Sequence, residues 1–284
     1  MQTFDRIQDF TSHVLAQKSD NKSIGFVPTM GALHNGHISL IERSKKENEI
    51  TVVSIFVNPT QFDNKEDLDK YPVTLKTDKI MLENAGCDVL LVPTVGDMYN
   101  KEELSSIWKQ VNFRKLDKVM EGLYRPGHFS GVAQVVSKLF DIVQPKNAYF
   151  GQKDFQQLVI IKEMVRQIKY EIEIVACPTV RERDGLAMSP RNTRLNSEER
   201  KVAPKISQIL FKAKEISRTE PSVKKIKSFA EGEFKKERLF ELEYFEIADA
   251  ATLQPIEFIY ENIDTVVCVA VKLGAVRLID NVLL

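Results

Sequence analysis

The sequence predicts an α/β protein, with a parallel sheet and its helices over residues 1–179 and a smaller α+β domain over 180–284. Three observations carry that expectation. Short apolar runs alternate with amphipathic helical patterns through the first two-thirds of the chain, which implies right-handed βαβ units. One run, TVVSIFV at 51–57, is apolar throughout, as in a strand covered on both faces. After residue 180 the composition shifts to lysine-rich helical stretches followed by β-rich ones.

Taken in order, SIGFVP (23–28) is a β-rich run that feeds a glycine-containing turn and then the helical stretch ISLIERSKKE. TVVSIFV ends in the turn NPTQF. TLKTDKIMLENAG places Leu75, Ile80, Met81 and Ala85 at helical spacing, with Gly86 where the helix should stop. DVLLVP (88–93) is another strand. GVAQVVSKLFDIV reads as a buried helix, its start capped by Ser130, and NAYFG (147–151) as a short strand. DFQQLVIIKEMVRQI is a further helix and EIEIVACPT (171–179) a strand. LNSEERKVAPKISQILFKAKEI reads as one surface helix capped by Asn196 or Ser197, and VKKIKSFAEGEFKKE as a second. ELEYFEIAD and TVVCVAVKLGAVRLID are strands, the latter a hairpin turning at Leu273-Gly274.

Composition narrows the function. The 284 residues are 43% hydrophobic and 28% charged, with Lys+Arg and Asp+Glu both at 40, so the formal net charge is zero. A general nucleic-acid surface needs a basic excess to displace counterions and is not expected. Cys87, Cys177 and Cys268 are far apart and in no metal-like spacing, which favours buried thiols in a reducing cytoplasm. MQTFDRIQDF lacks the apolar core of a signal peptide, and no apolar run approaches the roughly 20 residues of a membrane span.

In such sheets ligands gather at the carboxyl ends of the strands, and the informative loops here all follow strands. PTMGALHNGH (28–37) holds two of the four histidines, His34 and His37. A metal site would want a third ligand that the local spacing lacks. Phosphate binding fits better. Gly31 and Gly36 let the backbone approach a ligand, the following helix offers N–H groups, and histidines three apart share a face. A plain turn remains an equal alternative on spacing alone. YRPGHFSGV sets Arg125 and His128 around Pro126-Gly127 at a helix start, and GQKDFQQ places Lys153 and Asp154 where a helix opens, with Gln157 on the same face. RERDGLAMSPRN (181–192) is charged enough to be a loop that closes over a triphosphate through Met188, Ser189 and Arg191, or simply a solvated linker. Gln61 in NPTQF is suited to binding a hydroxyl. Clusters converging on one sheet edge of a neutral chain point to a concentrated anion pocket.

GALHNGH resembles the HxGH signature of the nucleotidyl-transferase superfamily. PTMGALHNGHISLI, FVNPTQF, RPGHFSGV, FGQKDFQQ and LAMSPRN in this order resemble the pantothenate synthetase family over nearly the whole chain. The resemblance implies a Rossmann-like N-terminal domain, a C-terminal lid domain and a homodimer. It implies condensation of pantoate with β-alanine using ATP and Mg²⁺, through a pantoyl-adenylate, with no nucleic-acid or membrane partner. Carried over by motif, Met30, Gly31, Ala32, Leu33, His34, Asn35, Gly36 and His37 would line the ATP site, as would Gly151, Gln152, Lys153 and Asp154. Val180 would touch adenine, and Met188, Ser189, Pro190 and Arg191 would supply the closing loop. His37, His34, Lys153 and Arg191 would be catalytic. Gln61 and Gln157 would hold pantoate, Gln61 also bordering β-alanine, with Arg125 and His128 at the pocket edge. The family usually has two serines before the arginine; Pro190 here removes one N–H and one hydroxyl donor. A cytidylyltransferase of the same superfamily or a non-enzymatic nucleotide-binding module would share the HxGH turn without needing both glutamines.

Overall fold

The parallel sheet forms from β1 (Gln2–Phe4), β2 (Ile24–Thr29), β3 (Ile50–Ile55), β4 (Val89–Leu91), β5 (Asn147–Gly151) and β6 (Glu173–Cys177), in the order β1-β4-β3-β2-β5-β6. Every neighbouring pair is parallel. The helices of this stretch of the chain are α1 (Ile7–Ser19), α2 (Asn35–Glu47), α3 (Lys65–Asp69), α4 (Leu75–Asn84), α5 (Val95–Met98), α6 (Glu121–Tyr124), α7 (His128–Val143) and α8 (Phe155–Ile168). A second sheet is antiparallel, β7 (Phe240–Asp249), β8 (Thr265–Leu273) and β9 (Val276–Leu283) in sequence order, with α9 (Ser197–Val202), α10 (Lys205–Ser217) and α11 (Val223–Lys236) preceding it. The computed structural model describes residues 1–62, 65–99 and 107–284.

Burial explains the strand chemistry. Thr51 through Ile55 of β3 are all buried, as an apolar run in a doubly covered sheet requires. Val27, Ile41, Val53, Leu82, Leu90 and Tyr149 form the core of this sheet, each buried aliphatic side chain worth about 1.5–3 kcal/mol. In the antiparallel part, Ile206, Leu210, Phe234, Phe245 and Val269 pack together. Gly86 follows α4 at φ +75° and Gly274 turns the β8–β9 hairpin at φ +56°, conformations that glycine adopts at little cost.

The chain divides into two compact units: Met1–Phe113, Arg125–Gly151 and Ile160–Cys177 in one, Arg114–Tyr124, Gln152–Val159 and Pro178–Leu284 in the other. Two stretches from the first two-thirds of the sequence thus cluster with the C-terminal residues. Glu121 of the first stretch accepts both guanidinium N–H groups of Arg277 at 2.7 and 2.6 Å and the Tyr244 hydroxyl at 2.7 Å. Gln156 of the second accepts the Glu121 N–H and donates to the carbonyls of Leu116 and Val119. Phe155 packs with Met120, Leu253 and Cys268. Neither stretch carries a periodicity that would have marked it.

Three local expectations are corrected. The helix expected to start at a Ser130 cap begins at His128, with Gly127 as its N-cap at φ +87°, so Ser130 lies inside it. The single surface helix expected after Asn196 is two, α9 and α10, parted at Ala203-Pro204 because proline has no N–H to continue the first. Gln2–Phe4, in which no strand was anticipated, adds a parallel edge strand beside β4. Asn196 does cap α9, paired reciprocally with Glu199.

Candidate active site

The histidine turn leaves the carboxyl end of β2. Thr29 Oγ1 donates to the Ser54 carbonyl at 2.8 Å and accepts the Gly31 N–H at 3.2 Å. Gly31 and Ala32 then take consecutive left-handed conformations, φ +79° and +50°. The carboxylate that holds this bend is Asp78 of α4, 1% exposed. Its Oδ2 accepts the Ala32 N–H at 3.0 Å, its Oδ1 accepts the Leu33 N–H at 2.9 Å, and the Thr74 hydroxyl lies at 3.1 and 3.2 Å from the two.

Beyond the bend the histidines cap α2 reciprocally. His34 Nδ1 accepts the Gly36 N–H at 3.1 Å, and His37 Nδ1 accepts the His34 N–H at 3.3 Å, with the ring centroids 4.1 Å apart. Two consequences follow. The backbone N–H groups of Gly31, His34, Gly36 and His37 are bonded within the turn and those of Ala32 and Leu33 to Asp78 of α4, so these six do not stand open, which corrects the expectation for the helix start. Because an imidazole nitrogen that accepts carries no hydrogen, both rings hold their proton on Nε2 as neutral donors.

Gln61 sits at the end of the 3-10 turn Pro59–Gln61 that follows β3. Asn58, fully buried, donates from Nδ2 to Gln61 Oε1 at 3.2 Å and to the Gly131 carbonyl at 3.1 Å, and its Oδ1 accepts from Thr60 and from the Tyr99 hydroxyl at 2.5 Å. Burial pushes the Tyr99 hydroxyl above its ordinary pKa, so it stays a donor. Gln61 Nε2 donates to Met30 Sδ at 3.0 Å. The Gln61 carbonyl accepts from His128 Nδ1 at 2.8 Å and from Arg125 Nη2 at 3.3 Å. A carbonyl only accepts, so His128 is protonated at Nδ1 and its Nε2 accepts from Arg125 Nη1 at 3.3 Å. Arg125 and His128 therefore hold the Gln61 backbone. Gly131 matters for the same turn: a Cβ there would lie 2.3 Å from the Thr60 carbonyl oxygen and 2.8 Å from Gln61 Cα.

The other candidates lie in the second unit, apart from Gly151, which closes β5. Gln152, Lys153 and Asp154 form a 3-10 turn leading into α8, with Lys153 Nζ 3.5 Å from Asp154 Oδ2. Gln157 lies in the first turn of α8. Val180 opens a hairpin closed by Met188 N–H to the Val180 carbonyl at 3.0 Å and by the Arg181–Ala187 bridge. Ser189 caps the 3-10 turn Pro190–Arg194, accepting the Arg191 N–H at 3.2 Å, and Pro190 occupies the first helical position, where an N–H has no partner within the turn. Three charges of 181–192 are paired with residues outside the segment: Arg181 with Asp280, and Glu182 and Asp184 with Arg200.

Sheet order sets the ends of β3, β2 and β5 side by side, and each feeds one candidate segment of the first unit: Gln61, Met30–His37 and Gly151. Among the described residues no group of three His, Cys, Asp or Glu could hold a metal ion, and no helix is long and apolar enough to cross a membrane. All three cysteines are buried free thiols, and burial pushes Cys87 up to about 12 and Cys177 and Cys268 upward as well, which leaves no reactive thiolate near neutral pH. Asp78 and Asn58 were missed in the sequence. Asp78 lies 46 residues from Ala32 with no local signal, whereas Asn58-Pro59 could have been read as a capped turn.

A family model described as pantoate-beta-alanine ligase matches residues 2–283. The chain is 50% identical over 282 residues to a pantothenate synthetase of Bacteroides fragilis, covering 99% of this chain and 98% of that one. It superposes on the crystal structure of pantothenate synthetase from Thermus thermophilus with a TM-score of 0.89 at 38% identity, covering 99% of each chain. The ligase of Francisella tularensis, crystallised with "Beta-gamma ATP" and β-alanine, matches at TM-score 0.77 and 36% identity over 100% of this chain and 97% of that one.

Proposed function

The chain belongs to the pantoate-beta-alanine ligase family, and we propose that it joins (R)-pantoate to β-alanine at the expense of ATP, releasing AMP and pyrophosphate. The observation that carries this reading within the site is the pair of histidines, His34 and His37, that cap one helix start reciprocally through Nδ1 at the end of a parallel strand. Two imidazoles at one helix start suit a phosphate chain.

The reaction brings an anion to an anion. A carboxylate oxygen of pantoate attacks the α-phosphorus, the bond from that phosphorus to the bridging oxygen breaks, and pyrophosphate leaves with its electron pair. The protein must hold the partners in line and offset charge growing on the leaving group. His34 and His37 donate to the phosphates, Lys153 and Arg191 add positive charge, and Asp154 accepts from ribose. Val180, Gly151, Gln152 and Met188 through Pro190 complete the nucleotide contacts together with Met30 through Leu33, Asn35 and Gly36. Gln61 and Gln157 hold pantoate, and Arg125 and His128 fix Gln61. The amine of β-alanine then attacks the acyl carbon and AMP departs. Mg²⁺ would enter as Mg–ATP, since it keeps phosphate and water ligands readily, and would supply charge to offset that of the phosphates.

In the same reading, residues 1–179 bind ATP and pantoate and 180–284 act as the lid domain. The chain works as a cytoplasmic homodimer; light scattering of the purified protein checks the dimer. The function is tested by omitting one substrate at a time. AMP is expected only with ATP, Mg²⁺ and pantoate together, and pantothenate only when β-alanine is added. AMP release independent of pantoate would sink the assignment, and a sensor module would release none.

A further inference from the structure

Asp280 and Asn281 are neighbours on β9, both buried, at 4% and 7% exposure, and strand alternation sends them to opposite faces. Asn281 spends its amide on one short segment: Nδ2 donates to the Gln152 carbonyl at 2.9 Å and to the Lys153 carbonyl at 2.7 Å. Both hydrogens are used on consecutive carbonyls, which fixes the pitch of the turn from which the Lys153 side chain leaves. The residue that makes these bonds is itself anchored. Asp280 Oδ1 accepts the Asn281 N–H at 2.7 Å, while its carboxylate takes two bonds from Arg181 at 2.6 and 2.9 Å. Arg181 donates in turn to the Gly185 carbonyl at 3.1 Å, inside the hairpin that precedes Met188–Arg191. One end of β9 thus grips two segments that carry candidate phosphate contacts.

We infer that Asn281 is a positioning residue for adenylation: by clamping the Gln152 and Lys153 carbonyls it aims the Lys153 ammonium at the phosphates. This rests on the reading that Lys153 binds phosphate. A lysine is a point charge on a flexible stem, so its backbone origin decides where the charge falls, and a displacement of about 1 Å can cost on the order of a hundredfold in rate. The second half-reaction expels AMP rather than pyrophosphate and does not call on the same alignment.

The test separates the two halves in Asn281→Leu, similar in volume but without donors, and in Asn281→Ser, smaller with one hydroxyl donor. Pantoate-dependent exchange of labelled pyrophosphate into ATP reads adenylation; transfer from synthetic pantoyl adenylate to β-alanine reads the second step. Exchange is expected to fall about tenfold or more in Asn281→Leu, while amine transfer stays within about twofold. Asn281→Ser should fall between parent and Leu, and it decides by the same comparison if the Leu variant does not fold. Equal losses in both halves would mean a general packing role and overturn the inference, as would unchanged exchange. Lys153→Ala, run alongside, keeps the two claims apart. If exchange survives that change, the phosphate assignment of Lys153 fails; if exchange is lost there but not in the Asn281 variants, only the positioning role fails.

Discussion

Replacing Asp78 with alanine should loosen the histidine turn more than any surface change near it. The carboxylate is 1% exposed and accepts the N–H groups of Ala32 and Leu33 at 3.0 and 2.9 Å, together with the Thr74 hydroxyl. Alanine would leave two backbone donors and one hydroxyl in a buried place without an acceptor. Each orphaned donor costs about 1–3 kcal/mol. Ala32 is also held at φ +50°, a conformation that costs a non-glycine residue roughly 1–2 kcal/mol and that relaxes once its N–H is released. The two backbone donors less the relieved strain predict a loss of about 1–4 kcal/mol, out of a total stability that is typically about 5–15 kcal/mol. Asp78→Asn keeps the shape but turns one acceptor into a donor facing an N–H, so about 1–3 kcal/mol is expected. Urea unfolding of the parent and both variants gives the numbers, and pyrophosphate exchange reads the effect on the histidines. A stability of Asp78→Ala within about 0.5 kcal/mol of the parent, the range of an ordinary surface change, would refute the reasoning.

The remaining expectations concern the turn, the glutamine and pH. His37→Ala should lower pantoate-dependent exchange by about 10²–10³, the usual cost of one transition-state donor, with a folding loss of only about 0.5–2 kcal/mol from the missing cap; near-parental exchange would remove His37 from its role. Gly131→Ala places a methyl 2.3 Å from the Thr60 carbonyl oxygen, so it should destabilise by about 1–3 kcal/mol and raise KM for pantoate through displaced Gln61; an unchanged KM would detach Gly131 from that turn. Cys87 keeps its proton when folded up to about 12, against an ordinary value of 9.0. The unfolded chain therefore binds fewer protons at this thiol between those values, so the contribution of Cys87 is constant below about pH 9 and stability should fall as pH rises from there toward 12. A urea-unfolding series over that range checks the sign, and a rise would contradict it.

What was legible in the sequence was whatever nearby residues specify. Val52 and Val53 announce a covered strand, Gly86 and Gly274 announce stops and turns, and His34 with His37 announces a helix start, because each acts through neighbours a few residues away. The supports of the site were not legible. Asp78 reaches back to Ala32, Asn281 to Lys153 and His128 to the Gln61 carbonyl, and none has a period or spacing to mark it. The same blindness hid the grouping of Arg114–Tyr124 and Gln152–Val159 with the C-terminal residues, since Glu121 meets Arg277 only after folding. The sequence predicts both the helix-start N–H groups and the two rings as donors; the long-range carboxylate of Asp78 is what occupies the Ala32 and Leu33 N–H groups.

The central claim is that a pantoate oxygen attacks the α-phosphorus of ATP. It is tested by turning over pantoate labelled with ¹⁸O in its carboxylate, with ATP and β-alanine, and by mass spectrometry of the products. One labelled oxygen should appear in AMP and one remain in the new amide carbonyl of pantothenate. AMP without label, or label carried off in inorganic phosphate or pyrophosphate, would contradict the adenylate route.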